Sequence, residues 1–156
     1  MKISFYFFAL VSIFIATTSY SFDSLEAACT SYQGQIHTEY QCPKSRLKLP
    51  WNFCVFHNTD GIEQFFDGCT GPASDFRPAL TPACIQHDLC YHHEPSTSGK
   101  TQEECDKEFQ SAALEACENI IDNEIKEKCL KWSKTMYISV RAFGAIAYHC
   151  ADIPLN

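Results

Sequence analysis

The chain has 156 residues, with 19 Asp and Glu against 12 Lys and Arg, and ten cysteines. That acidic balance argues against nucleic acid as a partner, because phosphate binding needs a basic face, and against strong electrostatic attraction to anionic lipid. Ten cysteines without a C-x-x-C pair or other paired-ligand spacing exclude an ordinary zinc site and read as a disulfide framework.

In chain order, Lys2 precedes an almost unbroken apolar run over residues 3–16, and Ser19 and Ser21 supply small residues at its exit. This is the pattern of a secretory signal peptide. The competing reading, a membrane anchor, suffers from length, since a spanning helix needs about 20 apolar residues. Residues 1–21 are therefore expected to be removed and residues 22–156 to form one domain in an oxidising, extracellular compartment. No N-x-S/T acceptor occurs, so N-glycosylation is not expected.

From residue 22 to residue 82 the sequence is rich in turns, aromatics and prolines. It predicts loops, one short helix over 23–32 and little regular sheet. Trp51, Phe53, Phe56, Phe65, Phe66 and Phe76 form an aromatic group that reads first as core under loops, with a lipid-facing surface as the alternative.

The second half predicts three helices. Thr81-Pro82 is a good start for the first, with a capping hydroxyl and then proline, and Pro95 stops it after residue 94. Thr101-Gln102-Glu103-Glu104 is a capping box opening a second helix that ends near residue 121. A third spans about 125–149, with Trp132, Met136, Val140, Phe143 and Ala147 along one stripe. Short loops favour antiparallel neighbours, so the expected fold is mainly α, with a loop-rich N-terminal half. His92 and His93 are adjacent, point about 100° apart on a helix, and are read as solvated. His37, His57 and His149 receive no role, and the charges of Glu63 and Asp75 read as solvated loop charges.

Chemistry concentrates in Pro82-Ala83-Cys84-Ile85-Gln86-His87-Asp88-Leu89-Cys90-Tyr91. On a helix Cys84, His87 and Tyr91 share one face, with Asp88 one step round. If Cys90 bonds Cys105, Asp106 is drawn toward His87. A carboxylate there accepts one imidazole N–H and leaves the other nitrogen to take a proton from water. Upstream, Phe66-Asp67-Gly68-Cys69-Thr70-Gly71-Pro72 is a tight acidic turn. Asp67, backbone carbonyls and Asp88 are hard oxygen donors suited to Ca2+, which would stabilise an oxyanion.

These residues resemble the secreted phospholipases A2, whose active-site helix carries C-x-x-H-D-x-C-Y, matched by Cys84, His87, Asp88, Cys90 and Tyr91. The second catalytic carboxylate of that family follows a cysteine, as Asp106 follows Cys105. The resemblance covers residues 66–129 best. It implies a disulfide-rich phospholipase A2-like fold with two antiparallel active-site helices and a further long helix. It implies catalytic His87 and Asp106, with Tyr91 in support. It also implies hydrolysis of the sn-2 ester of glycerophospholipids, at phospholipid aggregates or membrane surfaces approached peripherally. The glycine-rich calcium loop of venom and pancreatic members is absent. The short acidic segment is similar instead to the bacterial, fungal and cone-snail conodipine branch, which implies Asp67, Gly68 and Asp88 as calcium ligands. Family pairing implies Cys69–Cys84 and Cys90–Cys105, and the bacterial pattern Cys117–Cys129. It leaves Cys29, Cys42, Cys54 and Cys150 unassigned. The competing reading is a secreted binding protein or toxin on this scaffold with weak or no catalysis. A disulfide-rich inhibitor stands behind that.

Overall fold

A computed structural model describes residues 24–41, 46, 48–69, 74–93 and 98–148. The expected signal segment, the single-domain boundary at residue 22, Cys42, His149 and Cys150 lie outside the described residues.

The chain enters helix α1 (Leu25–Ser31), capped by the Ser24 hydroxyl, which accepts from the Ala27 amide at 3.1 Å. Among the described residues five short strands follow: β1 (Gln35–His37), β2 (Tyr40–Gln41), β3 (Lys48–Leu49), β4 (Phe53–His57) and β5 (Glu63–Phe66). They form a three-stranded antiparallel sheet in the order β1-β4-β5 and a two-stranded one from β2 and β3. This is more sheet than the turn-rich composition predicts. The residues that make it are the β-favouring aromatics themselves, which pack on a half-buried pleated face. Phe53, Phe56, Phe65, Phe66 and Phe76 are buried, so the core reading holds for them, whereas Trp51 stays 46% exposed. A disulfide from Cys29 to Cys54 ties α1 to β4 and settles the pairing of two cysteines that the sequence leaves open.

Among the described residues three helices carry the second half: α2 (Arg77–His93), α3 (Gln102–Glu118) and α4 (Asn123–Phe143), with a 3-10 turn over Gly144–Ile146. The start of α2 corrects the sequence reading, since the helix begins one turn before Thr81-Pro82 and holds Pro82 inside it. Proline there removes one ladder hydrogen bond, a real cost. The turn survives because wholly buried Leu80 and buried Phe76 belong to the core under it. The Thr81 hydroxyl donates back to the Arg77 carbonyl at 3.1 Å instead of capping. The capping box at Thr101 and Glu104 is present as expected, with both reciprocal bonds made.

Contacts across α2 and α3 run in opposite directions along the two helices. His87 meets Phe109 and Asp106, Cys90 bonds Cys105, and Tyr91 meets Gln102. The same holds for α3 and α4, where Cys117 bonds Cys129 while Asp106 and Gln102 reach Arg141 and Val140. Both pairs are therefore antiparallel, each pinned by a disulfide, and the fold is mainly α and disulfide-rich. Cys69–Cys84 fastens the segment after β5 to α2. Among the described residues no cysteine is free.

Two details of the last helix differ from expectation. It ends at Phe143, earlier than predicted, so Ala147 lies beyond it, and Phe143 is 77% exposed instead of on the packed stripe. Trp132, Met136 and Val140 do pack against the core. Among the described residues no helix is long and apolar enough to cross a membrane.

Candidate active site

His87 lies on the buried face of α2, 8% exposed, and its Nε2 sits 2.8 Å from Oδ1 of Asp106, which is wholly buried on α3. The antiparallel pairing fastened by Cys90–Cys105 puts these two side chains at one level. An ionised carboxylate only accepts, so Nε2 carries the proton and, in the neutral ring, Nδ1 is left as an acceptor.

Asp106 is held by more than the histidine. The Tyr91 hydroxyl donates to the same Oδ1 at 2.6 Å, and Arg141 on α4 donates from Nη1 to Oδ2 at 2.9 Å. Gln102 donates to the Tyr91 oxygen at 3.2 Å and to the Val140 carbonyl at 3.3 Å. Burial works to raise the Asp106 pKa, but the hydrogen bonds from His87, Tyr91 and Arg141 outweigh it and hold the carboxyl below its ordinary value. Burial and then the bond to Asp106 push the Tyr91 phenol the other way, upward.

The second acidic centre pairs Asp67, just after β5, with Asp88 on α2. Oδ2 of Asp88 accepts the amides of Asp67 at 3.1 Å and Gly68 at 2.7 Å, and the two carboxyls also hydrogen-bond one another. Gly68 turns with φ of +75°, a left-handed conformation that glycine adopts without the Cβ penalty. The contact visible for Gly68 is thus its amide on Asp88. Burial raises the pKa of both acids, and for Asp88, well above its ordinary value, the charge of Asp67 adds to it. Two partly buried carboxyls that cannot comfortably both ionise are a donor set that fits a hard cation. Among the described residues no cluster of three or more His, Cys, Asp or Glu side chains forms a metal cage.

A cavity of about 220 Å³ opens beside this centre, lined by Asp67 and Gly68 together with Leu25, Ala28, Phe66, Ile85 and the polar Ser24, Arg77 and Thr81. An Arg77 Nη2 bond to the Cys69 carbonyl fixes the segment that follows Gly68. Glu63 and Asp75 are exposed, as read from the sequence, but Glu63 opens strand β5 instead of lying in a loop.

Sequence reasoning missed five side chains. Trp51 donates its indole N–H to Asp67, and nothing in the Pro50-Trp51-Asn52 segment signals it. Arg141 reaches Asp106 from α4, and Gln102, on the same helix as Asp106, donates to the Tyr91 oxygen; the sequence reading gave neither a part in the site. His92, read as solvated, is 4% exposed and stacks on Phe65 with ring centroids 4.3 Å apart. His93 lies edge-on to the same ring at 5.6 Å. The face of β5 closes over the end of α2, which a helical wheel of α2 alone does not reveal.

No family model matches the chain, and no solved structure matches it. Among curated proteins it is similar to the human group XIIA secretory phospholipase A2, 42% identical over 81 residues, covering 43% of this chain and 41% of that protein. It is likewise similar to the Mus musculus group XIIA secretory phospholipase A2, 42% identical over 43 residues, covering 28% of this chain and 20% of that protein. The chain therefore spans about two fifths or less of the length of these relatives. Over that part, the similarity is to the secreted phospholipases A2.

Proposed function

We propose that this chain is a secreted, calcium-dependent phospholipase A2 that hydrolyses the sn-2 ester of glycerophospholipids to a fatty acid and a lysophospholipid. The observation that carries the reading is the buried His87–Asp106 contact at 2.8 Å, on a helix whose next residue, Asp88, faces Asp67. Likeness to the group XIIA proteins and the disulfide-dense fold support it. Within the class, the short acidic Asp67-Gly68 turn supports the bacterial, fungal and conodipine-like branch, although the relatives found are mammalian group XIIA proteins. The leader of residues 1–21 and a single domain over 22–156 belong to the same proposal.

In this mechanism Nδ1 of His87 takes a proton from water as the water oxygen bonds to the ester carbon. Asp106 accepts Nε2–H, orients the ring and stabilises the imidazolium, and Tyr91 keeps the carboxylate in place. The proton then passes from His87 to the departing glycerol oxygen as the ester C–O bond breaks. Asp67, Asp88 and the Gly68 carbonyl would hold Ca2+, which when bound supplies electrostatic stabilisation of the oxyanion. The apolar side of the cavity, from Leu25, Ala28, Phe66 and Ile85, is the surface we assign to an acyl chain.

The test is fatty-acid release from mixed micelles by the mature protein, with calcium and then with chelator. Release that needs calcium is expected. Folded protein that releases nothing overturns the enzymatic reading in favour of a binding protein. Release that survives chelation removes the calcium part.

A further inference from the structure

Helix α4 takes no part in the mechanism above, yet its last turns close over the catalytic pair. Val140 accepts from Gln102, Arg141 reaches Asp106, and Gly144 lies against Tyr91. A Cβ on Gly144 would stand 2.2 Å from the Tyr91 hydroxyl oxygen, so this close approach needs glycine. The Arg141 guanidinium also lies 3.9 Å from Glu103, through its second terminal nitrogen.

We propose that Arg141 is a positioning residue, which fixes the plane of the Asp106 carboxylate from the oxygen that His87 and Tyr91 leave unused and thereby sets the His87 ring. The inference rests on the reading of His87 as the base. Its logic is geometric. The terminal torsion of an aspartate is soft and roughly two-fold, so donors on one oxygen do not by themselves fix its plane. His87 and Tyr91 both bond Oδ1, from the same helix, at 2.8 and 2.6 Å. Arg141 bonds Oδ2 at 2.9 Å from a different helix, making a charge-assisted contact to a wholly buried partner. Three donors from two helices leave the carboxylate one orientation. The positive charge also keeps Asp106 an acceptor only, which dictates the Nε2–H tautomer of His87. A surface ion pair would do neither, because its partner would be free to turn in solvent.

The experiment uses the full mature chain, isotopically labelled at histidine, with Arg141→Met and Arg141→Lys variants. Two experiments are run: the imidazole Nε2–H resonance of His87 is recorded in calcium without substrate, and kcat and KM are measured on mixed micelles. Arg141→Met is expected to lower kcat about tenfold or more, short of the 10²–10⁴ that loss of the general base costs. KM should stay within about twofold, and the Nε2–H signal should shift or broaden. Arg141→Lys, which restores a charged donor to the single Oδ2 contact, is expected to recover part of kcat and of the signal. A role confined to holding the helices together would lower melting without moving either readout. An unchanged resonance and kcat in Arg141→Met overturns the proposal, as does a lysine variant no better than methionine. Should the methionine variant fail to fold, Arg141→Gln takes its place with the same readouts. Because the resonance is read without substrate, a parent that releases no fatty acid overturns the enzymatic reading, while the spectra still decide whether Arg141 sets the ring.

Discussion

Two acidic centres flank His87, and burial acts on both in the same direction, yet they end with opposite character. Asp106 is wholly buried, but His87, Tyr91 and Arg141 between them donate to both its oxygens, and its pKa is lowered. Asp88 has two backbone amides on one oxygen and another carboxyl, Asp67, as its charged neighbour, and its pKa is raised well above the ordinary value. The difference lies in the partners: hydrogen bonds from His87, Tyr91 and Arg141 outweigh burial at Asp106, whereas burial and then the charge of Asp67 raise Asp88. One centre is complete within the chain. The other gains most from a cation, and that contrast is the physical content of the assignment of roles.

The sharpest way to break the comparison is to neutralise one member at a time. His87→Gln should abolish turnover, by about 10²–10⁴ or more, since it removes the proposed general base, while leaving calcium binding intact. Asp88→Asn should abolish both. Calorimetric titration with calcium beside the micelle assay separates the two outcomes. Asp88→Asn that hydrolyses at the parent rate would take Asp88 out of the ion-holding centre.

A smaller effect concerns stability. Calcium at about 100 times its Kd should stabilise the parent by about 2.7 kcal/mol, and Asp67→Asn should lose most of that gain. In chelator the order should reverse, because the asparagine removes one of two carboxyls that oppose each other's ionisation. Thermal melts of both proteins with calcium and with chelator should therefore cross. Equal calcium gains in parent and variant would show that Asp67 does not hold the ion.

How much of this was legible in the sequence depended on whether the contact was local. The spacing of Cys84, His87, Asp88, Cys90 and Tyr91 is intrahelical, and the capping box at Thr101 and Glu104 is a matter of three residues, so both could be read directly. The approach of Asp106 needed only one supposed disulfide, Cys90–Cys105, which the structure contains. Arg141 was hidden because 35 residues and a change of helix separate it from Asp106. The early start of α2 was hidden because the packing of Leu80 and Phe76 overrides a proline that locally argues for a boundary. The small sheets were masked by turn-forming residues between short strands, as at Asn58, whose side-chain oxygen takes the amides of Asp60 and Ile62 in the β4–β5 turn.

His92 offers the remaining test, because it shows what burial does when no opposite charge answers it. The side chain is 4% exposed, and burial, followed by the charges of His93 and His87, pushes its pKa down to about 3, against a hydrogen bond that the ring donates to the Ala147 backbone carbonyl, which works upward. In the unfolded chain the same ring takes a proton near 6.5. Between those values the unfolded state binds the extra proton, so the stability that His92 contributes is fully present above about 6.5 and is lost as the pH falls toward 3. From pH 7 to pH 5 the loss amounts to about 2 kcal/mol. His92→Phe keeps an aromatic ring for the stack on Phe65 and removes the titration. Urea midpoints at the two pH values should therefore show the parent losing about 2 kcal/mol more than the variant on acidification. If both lose the same amount, His92 accepts its proton as readily folded as unfolded. Burial would then be too weak here to raise a carboxyl, and the raised pKa of Asp88 would need another cause.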